Sequence, residues 1–209
     1  MCYGYFHTEE YKGYTINVGY SECDESPLEW DMLGTIYSNH RQYDPCNHKM
    51  DEIIEFDDEG NWHVQDDYIY IKISAYIHSG IVLKPIDADS TCPQGWDCGL
   101  FGLMVVSKDK VIKEYGSLSQ NNIDRAISCL KGEVETWSQY LNGEVYCYSV
   151  DNPEGEFVDS CSGFYGGYDK DSDLMYYAKD FIDSDIERRE KEAERIKKLE
   201  NAIDPFYID

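Results

Sequence analysis

Between Tyr68 and His78 the chain reads YIYIKISAYIH, with Ile69, Ile71, Ile73, Ala75 and Ile77 alternating against Tyr68, Tyr70, Lys72, Ser74, Tyr76 and His78. A period of two belongs to an extended strand with one buried face, so this stretch commits the chain to a sheet. Other segments supply strands to go with it. LFGLMVV (100–106) is uniformly apolar, as in a central strand, and YTINVGY (14–20) has strand composition. EVYCYSV (144–150) and GEFVDSCSGFY (155–165) flank DNPEG, a turn composition that predicts a hairpin.

Helical signals interrupt these strands. Ile123, Ile127, Leu130, Val134, Trp137 and Leu141 recur at steps of three and four, and Asn142-Gly143 supplies a stop, so 121–141 reads as an amphipathic helix. A shorter helix over 108–115 has Ser107 as its cap and Gly116 as its exit. Leu174, Tyr177, Ala178 and Phe181 suggest another. The segment from 186 onward is a charged helix with a narrow apolar stripe of Ile186, Ala193, Ile196, Leu199 and Ile203. The predicted fold class is α+β: an antiparallel or mixed sheet of about five strands, helices on one face, and a charged C-terminal helix. A single globular domain over 1–185 followed by that helix over 186–209 is the expected organisation.

Charge bears most directly on function. The chain has 42 acidic and 18 basic residues, a formal net charge of −24 and a pI near 4.3. Residues 1–67 hold 16 acids against 3 bases, and residues 151–185 hold 10 against 2. So strong a negative balance disfavours direct binding to nucleic acid or an anionic membrane and favours a cationic partner. No apolar run is long enough to span a bilayer, and the first ten residues lack the basic flank and apolar core of a signal peptide. Cysteines at 2, 23, 46, 92, 98, 129, 147 and 161 form no CxxC pair and several sit in apolar runs, so reduced thiols and a cytoplasmic location are expected.

ECDESPLEWDMLGT (22–35) packs five carboxylates around a Pro, a Trp and a Leu without one basic residue. Ser26-Pro27-Leu28-Glu29 has the form of a capping box that starts a two-turn helix ended by Gly34, with Asp24 and Glu25 favoured by the helix dipole. Capping leaves Glu22 and Asp31 unexplained, as it does the acids of DEIIEFDDEG further on. The acids lack the spacing of an EF-hand loop, and His40, Cys46 and His48 with Cys23 upstream match no common zinc pattern, so neither a metal nor any other cofactor is expected. Cys98 and His78 on neighbouring strands would be a nucleophile and base, without a local signature to support them. GxSxG, HExxH, Walker and GxGxxG motifs are missing from the sequence, so no enzymatic activity is expected. Nineteen tyrosines, several beside carboxylates, offer rigid contact area able to stack on arginine.

DESPLEWDMLGT, HSG (78–80), WDCGLFGLMVVSKDKVIKEYG and EVETWSQYLNGEVYCYSV with DSCSGFYG together resemble a family of small acidic proteins encoded by bacteriophages and other mobile elements. The resemblance runs from about residue 14 to 166. Cys98 and Ser162 stand where the family pattern has Ser and Trp, which counts against Cys98 as a nucleophile. The resemblance brings no catalytic residues; it implies expression from a mobile genome inside a bacterial host.

That context and the charge together predict an inhibitor of a host nucleic-acid-handling defence complex, of restriction or CRISPR type. Carboxylates standing in for phosphates would block its basic groove. The partner-binding candidates are Glu22, Asp24, Glu25, Glu29, Asp31, Asp51, Glu52, Glu55, Asp57, Asp58 and Glu59, with Asp169, Asp171 and Asp173 secondary. Alternatives are a nucleotide second-messenger sponge built on Lys72, Lys84, Lys108, Lys110 and Lys113, a Cys98/His78 enzyme, and an accessory to another phage protein; the C-terminal helix offers a stripe through which two copies could pair.

Overall fold

Local signals and structure agree best in the helices and the hairpin. In the computed structural model, which describes residues 2–22, 26–86 and 98–202, Ser107 caps helix α1 (Lys108–Tyr115) by accepting from the Lys110 N–H at 3.2 Å. Gly116 closes it with a left-handed φ of 86°. Helix α2 (Gln120–Leu141) starts on Ser119 and buries Leu130, Val134 and Trp137 along the expected stripe. Its last carbonyls bond the N–H groups of Asn142, Gly143 and Glu144.

Among the described residues ten strands form three antiparallel sheets: β1 (Cys2–Tyr11), β2 (Tyr14–Ser21), β3 (Thr35–Ser38), β4 (Ile54–Phe56), β5 (Trp62–Val64), β6 (Tyr68–Ile77), β7 (Ile81–Ile86), β8 (Cys98–Ser107), β9 (Val145–Asp151) and β10 (Phe157–Tyr165). The α+β class and antiparallel pairing stand, but the five-strand sheet becomes two four-stranded sheets and a two-stranded ribbon. The chain divides into two compact units, Met1–Cys23 with Val145–Asp209, and Asp24–Glu144.

In the first unit the order is β1-β2-β9-β10, and helix α3 (Asp173–Ala202) covers one face. Leu174, Met175, Ala178 and Ile182 pack on Tyr14, Ile16, Val18, Tyr148 and Val150. The expected break at residue 185/186 falls inside this one continuous helix. Its inner end is fixed by Asp185, only 2% exposed, which accepts from the Tyr14 hydroxyl at 2.7 Å and from Arg189 Nε at 2.7 Å, with Arg188 as a third donor. From Glu187 to Asn201 every side chain is exposed. Cys2 and Cys147 are joined by a disulfide with a Cα–Cα distance of 5.7 Å, which corrects the expectation of reduced thiols. The two residues are 145 apart in sequence.

In the second unit the order is β3-β8-β6-β7. The alternation that opens the sequence decides its layers. Ile69, Ile71 and Ile73 join Met104 and Val106 beneath α1 and α2, while Tyr68 and Tyr70 face the other way with Leu103 and Val105. That second face is not open: Met50, Ile53, Val64 and Trp62 of the β4–β5 ribbon and the 3-10 turn before it (Met50–Glu52) cover it. The tyrosine side of the strand is therefore a second, smaller core.

Candidate functional site

The capping box of the opening acidic motif is one 3-10 turn (Pro27–Glu29), not a two-turn helix. Ser26 accepts from the Leu28 N–H at 3.2 Å, and Trp30 is already extended. The chain leaves the helix because its next residues are tied to α2. Glu133 accepts from the backbone N–H of Leu33 at 2.5 Å and of Gly34 at 2.8 Å. Gly34 does more than end a turn: a Cβ there would lie 2.5 Å from Leu130 Cδ2 and 2.9 Å from the Met104 sulfur. Glu29 and Asp31 are exposed on this helical side of the sheet.

The acids of 51–59 lie on the opposite side, on the ribbon and the turn leading into it. Asp51, Glu52, Glu55, Asp57, Asp58 and Glu59 are all exposed, and Phe56 among them is 65% exposed. Asp66 and Asp67, which sequence reasoning overlooked, follow β5 after Gln65 and are exposed too; their position just before the alternating strand that begins at Tyr68 was the available signal. Three of these carboxylates have local work. Asp57 Oδ1 accepts from the N–H groups of Glu59 at 2.9 Å and Asn61 at 2.8 Å, building the ribbon's turn, and these bonds hold its pKa below the usual range. Glu52 accepts from the Lys49 N–H at 2.8 Å and lies 3.0 Å from His48 Nδ1; the backbone bond first, then His48, lowers its pKa. Glu55 is 3.7 Å from His63 Nε2 across the ribbon. Asp51, Asp58 and Glu59 make no side-chain hydrogen bond or ion pair among the described residues.

The remaining candidates are scattered. Glu22, Asp169, Asp171 and Asp173 belong to the other unit and are exposed. Asp24 and Glu25 lie outside the described residues. The described residues proposed at the outset for one acidic surface thus fall on two sides of one sheet and on a second unit, and the largest group, six of the fourteen, lies at the ribbon and the turn before it.

The other chemistries fare as follows. Cys98 is itself disulfide-bonded, and the cleft of about 310 Å³ that it lines with Phe101 contains His40 and not His78. His40 Nδ1 accepts from the N–H groups of Gln42 at 3.3 Å and Tyr43 at 3.2 Å. Burial raises the thiol pKa of Cys46 and of Cys129, the latter also through Glu133, which keeps both in the poorly nucleophilic form. Among the described residues no group of three His, Cys, Asp or Glu side chains is arranged to hold a metal. Lys72 lies over the Trp62 ring at 5.8 Å on the ribbon side, whereas Lys110 Nζ bonds the Met32 carbonyl on the helical side, so these two lysines do not converge. No helix among the described residues is long and apolar enough to cross a membrane.

No family model, curated protein or solved structure matches this chain.

Proposed function

We propose that the protein is an inhibitor, encoded by a phage or mobile element, of a host nucleic-acid-handling defence complex, and that it acts inside the bacterial cell as an acidic mimic. The observation that carries this reading is the β4–β5 ribbon: six exposed carboxylates between Asp51 and Glu59 around an exposed Phe56, in a chain of net charge −24. The ribbon's outward side presents these carboxylates to a surface lined with Lys and Arg, where they replace phosphates and exclude the nucleic acid. Long-range attraction raises the association rate, and aromatic contacts such as Phe56 slow dissociation. Glu29 and Asp31, on the other side of the sheet, are secondary in this reading.

Asp57 is a poor residue with which to test it, since reversing its charge would also dismantle the ribbon's turn. Asp51→Lys, Asp58→Lys and Glu59→Lys combined remove charge without removing a bond. The chain is used to capture proteins from host lysate at low salt, and each captured protein is assayed for DNA or RNA binding with and without the chain. The expected result is a nucleic-acid-binding protein that loses its ligand to the wild-type chain and keeps it with the triple variant. Retention of nothing at low salt, or undiminished nucleic-acid binding by whatever is retained, would sink the reading.

A further inference from the structure

The β1-β2-β9-β10 sheet is not covered along its whole length. Helix α3 packs over Ile16, Val18 and Val150, but towards the other strand end the same face carries Tyr20 and Tyr146. There the rings form a cluster: Phe6 lies 4.9 Å from Tyr20 and 5.0 Å from Tyr168, and Tyr146 lies 5.3 Å from Tyr168. Tyr146 is the buried floor at 9% exposed, while Tyr3, Phe6, Tyr20 and Tyr168 stand around it at 51%, 40%, 42% and 38%. The strand that delivers two of these rings is distorted to do so. Between Tyr3 and His7 the β1–β2 register slips, Gly4 takes a φ of 58°, and Gly19 lacks the Cβ that would sit 2.7 Å from the Tyr3 carbonyl.

We infer that this aromatic cluster is a docking surface for an arginine-bearing segment of a protein partner. Charge selects the occupant. Glu22 follows Tyr20 by two residues, and Asp169 and Asp171 follow Tyr168 by one and three; all three are exposed, with Lys170 and His7 the local cations. Phosphates of nucleic acid or lipid are repelled, and a second copy would bring the same acids to the same contact. A guanidinium gains twice, from the ring faces and from the carboxylates. The chain already uses this combination internally: Arg189 lies 5.7 Å over the Tyr14 ring while bonding Asp185, and Arg125 lies 4.5 Å over Tyr115. This surface is on the unit that lacks the ribbon and does not depend on the mimicry reading.

The test is titration of the full chain with two peptides of equal length and charge, one carrying arginine and one lysine, followed by calorimetry and tyrosine ring resonances. The arginine peptide binds about tenfold more tightly, the order expected for ring stacking beyond charge alone. Phe6→Leu with Tyr168→Leu, which keeps apolar volume and removes the π faces, brings it to the level of the lysine peptide, whereas Phe6→Tyr preserves the preference. The ribbon variant Asp58→Lys with Glu59→Lys also preserves it, which separates this surface from the mimicry reading. The inference is overturned by equal affinity for the two peptides, by a preference that survives the double leucine variant, or by one that disappears with the ribbon variant. It is equally overturned if a neutral oligosaccharide saturates the rings, or if the wild-type chain is a dimer in solution that the leucine variant dissociates.

Discussion

At Asp185 one buried carboxylate has enough donors to remain charged. Burial alone would raise its pKa, but the bonds from Tyr14, Arg188 and Arg189 outweigh it, and the pKa is lowered. A lowered folded-state value means that ionised Asp185 stabilises the fold fully above its unfolded pKa, near 3.9, and that this contribution is lost as pH falls through the lowered value. Asp185→Asn removes the charge but retains an acceptor, so its stability should lack this component of acid sensitivity. Thermal melts from neutral pH downward are expected to show wild type more stable by about 2 kcal/mol, an advantage that narrows as the solution is acidified below about pH 4. A constant gap between the two proteins through that acid range would show that the carboxylate is not held ionised.

Two sequence elements that look unrelated on the page are bound together by α2. The turn after Pro27–Glu29 and the middle of the helix are joined when Glu133 receives the Leu33 and Gly34 N–H groups. Glu133→Ala should therefore cost about 2–3 kcal/mol, since two backbone donors lose a charged acceptor, while Glu133→Gln costs less because one acceptor oxygen survives. Urea denaturation measures both, and an unchanged midpoint for Glu133→Ala would show that solvent replaces the carboxylate without loss. This tie also marks the limit of what was legible in the sequence. Helices α1 and α2 and the β9–β10 hairpin are specified by caps, periodicity and a turn of their own, and the sequence shows all three within a few residues. Strand β1 escapes because its bulge and exposed edge destroy the alternation that would have revealed it. Strands β3, β4 and β5, with only 4, 3 and 3 residues, are too short to show a period. The candidate site followed the same division. Exposure of the acids was readable from their density, but which of them share a face depends on pairings across tens of residues, and Glu29 and Asp58 part company for that reason.

Across the molecule, 42 carboxylates confront 18 bases, and the ion pairs that exist are mostly at the surface. Lys191–Glu187 and Arg195–Glu192, for example, have side chains more than half exposed, where a pair contributes at most about 1 kcal/mol. Repulsion among the excess acids acts over distances comparable to the Debye length, about 10 Å at 0.1 M salt, so added salt screens more repulsion than attraction. Raising NaCl from low to physiological concentration should therefore increase the melting temperature. Association with a basic partner depends on the same unscreened field and should weaken over the same range, mainly through a slower on-rate. Melting curves and association kinetics in one salt series check both signs together. A chain whose charges serve only solubility would show the rise in stability without a salt-sensitive partner. A melting temperature that falls with salt would mean that local ion pairs outweigh the net repulsion.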